Sequence, residues 1–241
     1  MRLHAETPRG APLGIAFLGE LGISPQSAAA YAKRGWLVRL AQGAYCFPGD
    51  ELTRHGSVKF LQQRVEGLHI AGKSALSLQG VQHNLSAQDT LVLWGDERFA
   101  LPDWFTSRFP ARYLSAKIFD MPHNRLTSLS ITTPPGVTDN LLVSTPERAL
   151  LEMLYEVGTN QGLEEARNLF EGTRNLRKDV TGKLLACCTS VKAVRLFLTW
   201  SRETGLLDVD ALRHFNPRVG SNSRWMSRLK DGTLLTLKPY G

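Results

Sequence analysis

The spacing most suggestive of chemistry is Gly67-Leu68-His69-Ile70-Ala71-Gly72-Lys73-Ser74, which matches the phosphate-loop formula G-x-x-x-x-G-K-S. In a working loop the intervening residues are flexible, follow a buried strand and wrap phosphate oxygens with their N–H groups. Here Gly67 follows an amphipathic stretch that ends at Val65, and Leu68, Ile70 and Ala71 have strand character. The formula lacks its setting. Asp96 could be offered as a magnesium-binding aspartate, but it lies only 22 residues after Ser74, close for a full nucleotide-binding domain. Nucleotide hydrolysis is therefore not expected, and Lys73 is read as opening a structural helix.

Other reactive side chains are scattered. His4, His55, His69, His83, His123 and His214 show neither paired helical spacing nor a cysteine partner suited to metal. Cys46, Cys187 and Cys188 are too few for a disulfide framework and read as reduced, buried small hydrophobes. There is no G-x-S-x-G elbow, and no carboxylate is followed two residues later by lysine, a familiar nuclease spacing. Asp208 and Asp210 read as helix-capping residues. No catalytic residue, metal or cofactor is expected. A nucleotide- or DNA-acting enzyme stays on the page as an alternative, to be revived by metal- or nucleotide-dependent turnover.

The chemistry left is recognition of an anion. Gly22 to Phe47 contains no carboxylate, and none occurs between Glu20 and Asp50. Ser24 can accept a hydrogen bond from the next turn, Pro25 suits the first helical position, and Ala28 to Ala32 is strong helix former apart from Tyr31. Gly35 ends the helix. Trp36, Val38 and Leu40 then alternate with Leu37, Arg39 and Ala41, Gln42-Gly43 makes a turn, and Ala44 to Phe47 returns as a strand. Helix then hairpin is the order of a winged helix. Ala28, Tyr31, Ala32 and Gly35 are expected inside; Gln26, Ser27, Ala30, Lys33 and Arg34 outside. Ser24, Gln26, Ser27, Lys33, Arg34, Arg39 and Gln42 are the candidate DNA contacts, because glutamine can pair with adenine and the cations can neutralise phosphates. An ordinary helix-hairpin with a solvated cationic end fits the same pattern, and the missing carboxylates favour DNA.

The elements around this stretch are those of a soluble globular chain. Its 241 residues are 42% hydrophobic and 21% charged, with a net charge of +7. That favours an anionic partner but does not single out one half: residues 1–90 hold nine basic and six acidic residues, and residues 91–241 hold 20 and 16. No stretch resembles a signal peptide or membrane span, so a cytoplasmic location is expected. Leu13, Phe17, Leu18 and Leu21 predict a supporting helix, Val58, Leu61, Gln62 and Val65 another within 53–65, then a strand at 68–71 and a helix over 74–78. The polar run Asn84 to Asp89 suits a boundary, drawn at residue 85. Strands are expected at 90–94, 111–119, 126–132 and 141–144, with a turn at Pro134-Pro135-Gly136. Helices follow: one capped by Ser144 with Glu147 and buried along Leu150, Met153, Leu154 and Val157; one along Leu163, Ala166, Leu169 and Phe170; one capped by Asp179; one along Val191, Val194, Phe197 and Leu198. Leu234 to Leu237 is read as a late strand. The result is an α+β chain: a winged helix-turn-helix over 1–85 and a mixed α+β domain over 86–241. Arg213, Arg218, Arg224, Arg228, Lys230 and Lys238 form a second basic cluster, read as a solvated face.

The runs Gly22-Ile23-Ser24, Tyr31-Ala32-Lys33-Arg34-Gly35-Trp36-Leu37-Val38-Arg39-Leu40 and Gln42-Gly43-Ala44-Tyr45 resemble the winged helix of AbiEi-type antitoxins of type IV toxin–antitoxin, or abortive infection, systems. Ala71 to Leu76 with Leu78 and Gly80, Leu101 to Phe105, and Ser144 to Leu151 fit the same family in order. Family members often carry an extra supporting helix where Met1 to Pro12 is short and holds two prolines. The resemblance implies a promoter-binding repressor acting on inverted repeats of double-stranded DNA, and a cognate nucleotidyltransferase-like toxin that the antitoxin counteracts, with direct contact left open. It implies a role in phage defence, no enzyme activity and no membrane association. A stand-alone winged-helix transcription regulator is the first alternative; a toxin gene immediately downstream would separate the two.

Overall fold

The computed structural model describes residues 9–81, 90–134, 140–230 and 232–239. Its first lobe holds β1 (Leu13–Gly14), α1 (Ile15–Glu20), α2 (Pro25–Lys33), β2 (Val38–Ala41) and β3 (Ala44–Cys46). The strands form an antiparallel sheet in the order β1-β3-β2, leaving β2 at an edge. The supporting apolar set divides: Leu13 pairs with Tyr45 in the sheet, while α1 begins at Ile15. Leu13, Leu18, Ile23, Ala28, Leu37, Tyr45 and Phe47 make a small core of their own.

The chain then enters a larger body through α3 (Arg54–Gln62), β4 (His69–Ile70) and α4 (Gly72–Leu78). Thr53 caps α3 by accepting from the Gly56 N–H, and Val58, Phe60 and Leu61 of this helix belong to the larger core. Next come β5 (Leu91–Gly95), α5 (Asp103–Thr106), β6 (Ala111–Ser115), α6 (His123–Ser130), β7 (Ile131–Thr132) and β8 (Val143–Ser144). One five-stranded sheet runs β6-β5-β4-β8-β7. Strand β4 is its middle member, antiparallel to β5 and parallel to β8. The boundary expected at residue 85 lies outside the described residues. The pairing nevertheless recruits His69–Ile70, from the first expected segment, into the centre of the second.

Four helices follow: α7 (Pro146–Glu156), α8 (Leu163–Gly172), α9 (Lys178–Cys187) and α10 (Val191–Thr204). Helix α7 is buried nearly all round, against α4, α9 and α10, and its expected stripe Leu150, Met153, Leu154 and Val157 lies inside. A 3-10 helix (Asp210–Phe215) and the hairpin of β9 (Trp225–Arg228) with β10 (Leu234–Leu237) complete the described chain. The α+β architecture of the sequence reading is the one found.

Several elements differ from expectation. The strand expected over 126–132 is mostly helix α6, because Leu126, Leu129 and Ser130 share a helical face and the Ser130 hydroxyl donates back to the Leu126 carbonyl, 2.6 Å away. The strand from 111 stops at Ser115; Phe119 makes only an isolated bridge with Cys188. Ser144 does not cap α7. Thr145 is the N-cap residue, Pro146 opens the helix, and the Ser144 hydroxyl instead reaches Glu152 at 2.8 Å. Arg177 occupies the N-cap of α9 in place of Asp179, which pairs with Lys183 inside the first turns. Gly136 and most of the expected Pro134–Gly136 turn lie outside the described residues.

Candidate nucleic-acid interface

Helix α2 starts as its sequence dictates. The Ser24 hydroxyl oxygen accepts from the Ser27 N–H at 3.1 Å and donates its hydrogen to Ser27 Oγ at 3.0 Å, with Pro25 in the first turn. Ser24 therefore serves as a cap, with Gln26 exposed beside it and Ser27 half-buried. Gly35 ends the helix at φ +75°, a conformation that costs glycine little, and the Trp36 N–H returns to the Tyr31 carbonyl at 2.9 Å. Ala28 is buried as expected, but Tyr31 and Ala32 are only half-covered and Gly35 is exposed, so the inner stripe is narrower than the spacing suggested.

Lys33 and Arg34 lie exposed at the end of α2, and Arg39 is exposed on edge strand β2, opposite Tyr45. Gln42 is exposed in the turn with Gly43, whose φ is +69°. That turn is tied down: Arg64 donates to the carbonyls of Gln42 and Gly43, both at 3.4 Å, and the Ile15 N–H donates to Gly43 at 3.1 Å. The Arg64 guanidinium also stacks on Phe60 of α3, 5.0 Å from its ring centre. The seven candidate residues thus form two groups, Ser24, Gln26 and Ser27 at the start of α2, and Lys33, Arg34, Arg39 and Gln42 at its end and on the wing.

Two neighbours escaped the sequence reading. Trp36 is 59% exposed and Val38 44% exposed, side chains to which alternation alone assigns no face; Leu37 is the residue that goes inside. The Trp36 ring meets Tyr31 at 5.3 Å and lies under the Arg34 guanidinium at 5.6 Å. The signal available in the sequence was an aromatic flanked by Arg34 and Arg39 directly after a helix-ending glycine.

The phosphate-loop formula has a different use. Helix α4 does begin at Gly72, but the Gly72 N–H donates to the Glu152 carboxylate at 3.1 Å. One Glu152 oxygen receives His69 Nε2 at 3.0 Å and Arg148 Nε at 2.6 Å; the other receives Gly72 and Ser144. Burial alone would raise this carboxyl. The charges of Arg148 and His69, with the hydrogen bonds of His69 and Gly72, hold it instead at about 2. A side-chain anion from α7 therefore sits where a phosphate would. Lys73 turns to Glu165 at 3.0 Å, and the Ser74 hydroxyl accepts from the Val92 N–H at 2.9 Å. The Gly72 N–H, the Lys73 ammonium and the Ser74 hydroxyl, three polar groups of the formula, thus have internal partners.

The cysteines offer no activated nucleophile. Burial pushes the Cys46 and Cys187 thiols up, and Cys188 to about 12. Asp208 accepts from the N–H groups of Asp210 and Ala211 at 3.0 and 3.3 Å, as a capping residue does. In the second basic cluster Arg213 pairs with Asp210 and Arg218 with Asp120. Among the described residues no helix is long and apolar enough to cross a membrane.

A helix-turn-helix lobe with a short wing, joined to a larger α+β body, defines a protein of the winged-helix class. The family comparisons agree over the whole length: residues 1–87 match the transcriptional regulator AbiEi antitoxin N-terminal domain, and residues 88–238 match the transcriptional regulator, AbiEi antitoxin of type IV toxin–antitoxin systems. The chain belongs to the AbiEi antitoxin family. No curated protein matches it by sequence. Among solved structures it is similar to the RV2827C protein from Mycobacterium tuberculosis, at 16% identity and a TM-score of 0.55, over 88% of this chain and 77% of that one; at this identity the likeness concerns the fold.

Proposed function

We propose that this AbiEi regulator binds inverted repeats in its own promoter through α2 and the wing, represses transcription there, and counteracts a nucleotidyltransferase-like toxin without catalysing a reaction itself. The observation that carries the DNA half is the exposed set Gln26, Lys33, Arg34 and Arg39, on α2, its C-cap and β2, within a stretch from Gly22 to Phe47 that holds no carboxylate. The first turn of a recognition helix reaches base edges, so Gln26 would read sequence, with Ser27 beside it and Ser24 holding the turn. Lys33, Arg34 and Arg39 would neutralise phosphates, and Gln42 would meet the backbone from a turn that Arg64 holds in place. Membership of the AbiEi antitoxin family supports the toxin half. Direct contact between the two proteins is not required by this reading.

The test is fluorescence anisotropy on promoter and scrambled duplexes over a salt series. Gln26→Ala should reduce discrimination between the duplexes by on the order of 1–3 kcal/mol. Arg39→Ala should weaken both similarly and lower the slope of log affinity against log salt by about one, since one fewer counterion is released. Unchanged affinity and slope in both folded variants would remove this surface from the interface. Co-expression with the neighbouring gene, scored by growth, tests the antitoxin role.

A further inference from the structure

Trp36 and Val38 are two of the five large apolar side chains that the described residues leave exposed, and they stand two residues apart. Neither belongs to the small core beneath them. They are not on a loose segment. The Trp36 N–H is fixed to Tyr31, its ring is packed against the Tyr31 ring, and Val38 is in register with Cys46 of β3. An exposed, rigidly mounted indole keeps apolar area in contact with water that burial against a partner would remove, which is favourable in proportion to the area covered. Exposed cations flank this pair along the chain, Lys33 and Arg34 before it and Arg39 after Val38, and the Arg34 guanidinium lies over the Trp36 ring itself.

The cations decide the occupant. In a symmetric pair of chains the same patch faces itself, so a Trp36–Val38 contact between copies would bring Arg34, which lies over the Trp36 ring, near its own duplicate, an unfavourable arrangement. A duplex offers phosphates for the cations and apolar sugar carbons and thymine methyl groups between them. Resting on the reading of α2 and the wing as a DNA interface, we propose that Trp36, with Val38, is a binding residue that packs on the apolar surface of the duplex. This assigns to the interface an apolar contribution distinct from its charge.

The two kinds of contact leave different marks. An indole releases no counterion, whereas a phosphate-bound arginine does. The experiment uses the full chain, promoter and scrambled duplexes, and anisotropy over a salt series, with folding of each variant checked by circular dichroism. Trp36→Ala should lose about tenfold in affinity with little change in salt slope, the scale of removing part of a large apolar contact. Trp36→Phe should recover most of that loss, and Arg34→Ala should lower the slope by about one. Val38→Ser, at an exposed position, should lose a smaller factor and keeps the test alive if Trp36→Ala does not fold. Replacing thymine by uracil in the promoter separates the two apolar sources: a loss matching Trp36→Ala assigns the contact to the methyl groups, and wild-type affinity assigns it to the sugars.

Wild-type affinity in both Trp36→Ala and Val38→Ser would overturn the inference while leaving promoter binding intact. So would a slope change in Trp36→Ala equal to that of Arg34→Ala, because the indole would then act only as a prop for the arginine. Sedimentation that shows Trp36→Ala shifting the monomer–dimer balance, with affinity per dimer unchanged, would assign Trp36 and Val38 to a second copy and also overturn it. If the wild-type chain itself shows no preference for the promoter, the reading on which the inference rests fails first.

Discussion

Replacing Glu152 by glutamine is the most direct probe of how the larger body is held. Both carboxylate oxygens are fully engaged, one by His69 and Arg148 and the other by Gly72 and Ser144. Glutamine keeps the shape but turns one acceptor into a donor, which must then face two donors, and it removes the only anion touching Arg148 and His69 in this cluster. Breaking a buried charge arrangement from one side costs about 3–5 kcal/mol. Linkage gives a similar figure: holding the carboxyl at about 2 against its ordinary 4.5 corresponds to on the order of 3 kcal/mol of folding free energy at neutral pH. The sign follows from the lowered value. This contribution is fully present above about pH 4.5 and is lost as the pH falls toward 2. Urea titrations followed by circular dichroism, from pH 7 down to the lowest pH at which both proteins are folded, should show Glu152→Gln destabilised by about 3 kcal/mol at pH 7, with the gap to wild type narrowing below pH 4.5. A variant within about 0.5 kcal/mol of wild type at pH 7, or a gap that does not change with pH, would refute the account of this cluster.

Lys73→Ala should leave nucleotide binding where it is in the wild type, at background in equilibrium dialysis with ATP and GTP, because the helix terminus is already occupied by Glu152; the lost half-exposed contact to Glu165 should cost less than about 1 kcal/mol in a urea titration. Saturable nucleotide binding abolished by Lys73→Ala would reinstate the phosphate loop. A fragment of residues 86–241 should fail to give a cooperative thermal transition, whereas a fragment beginning at Asp50 should give one. The shorter piece lacks the middle strand and the fully buried Ile70 and Leu76, each worth about 1.5–3 kcal/mol of burial, and leaves Glu152 without His69 and Gly72. A cooperative transition in 86–241 would show that β4 is dispensable.

What the sequence revealed was mostly local. Leu150, Met153, Leu154 and Val157 repeat at helical intervals, and a helix of that length leaves little room for another reading. The Ser24-Pro25 start and Gly35 stop of α2 are equally local, since they depend on hydrogen bonds within a turn or on a single backbone angle. The central place of β4 was not visible, because two residues of strand carry no sign of which neighbours they pair with; Leu93 and Val143 are both brought to Ile70 by the fold. Helix α6 was misread because Leu129 and Ile131 alternate with Ser130 and Thr132 as a strand would, and the helical interval from Leu126 to Leu129 was passed over. In the candidate site, charge and helix capping were legible from residue types. The exposure of Trp36 was not: the left-handed turn at Gly35 decides how the chain leaves α2 and enters the edge strand.

The middle position of β4 also imposes an order on how the chain matures as it is synthesised. The small core from Leu13 to Phe47 is built from neighbours in sequence and can close early. By contrast, β4 meets β5 only after some twenty further residues have been made, and its other edge stays open until Val143 arrives to pair with Ile70. Closing that long loop is the slow, entropically costly step, and until then a hydrophobic strand edge stands uncovered. A nascent chain would therefore pass through a stage in which its winged-helix lobe is finished while the sheet behind it still exposes an unpaired side.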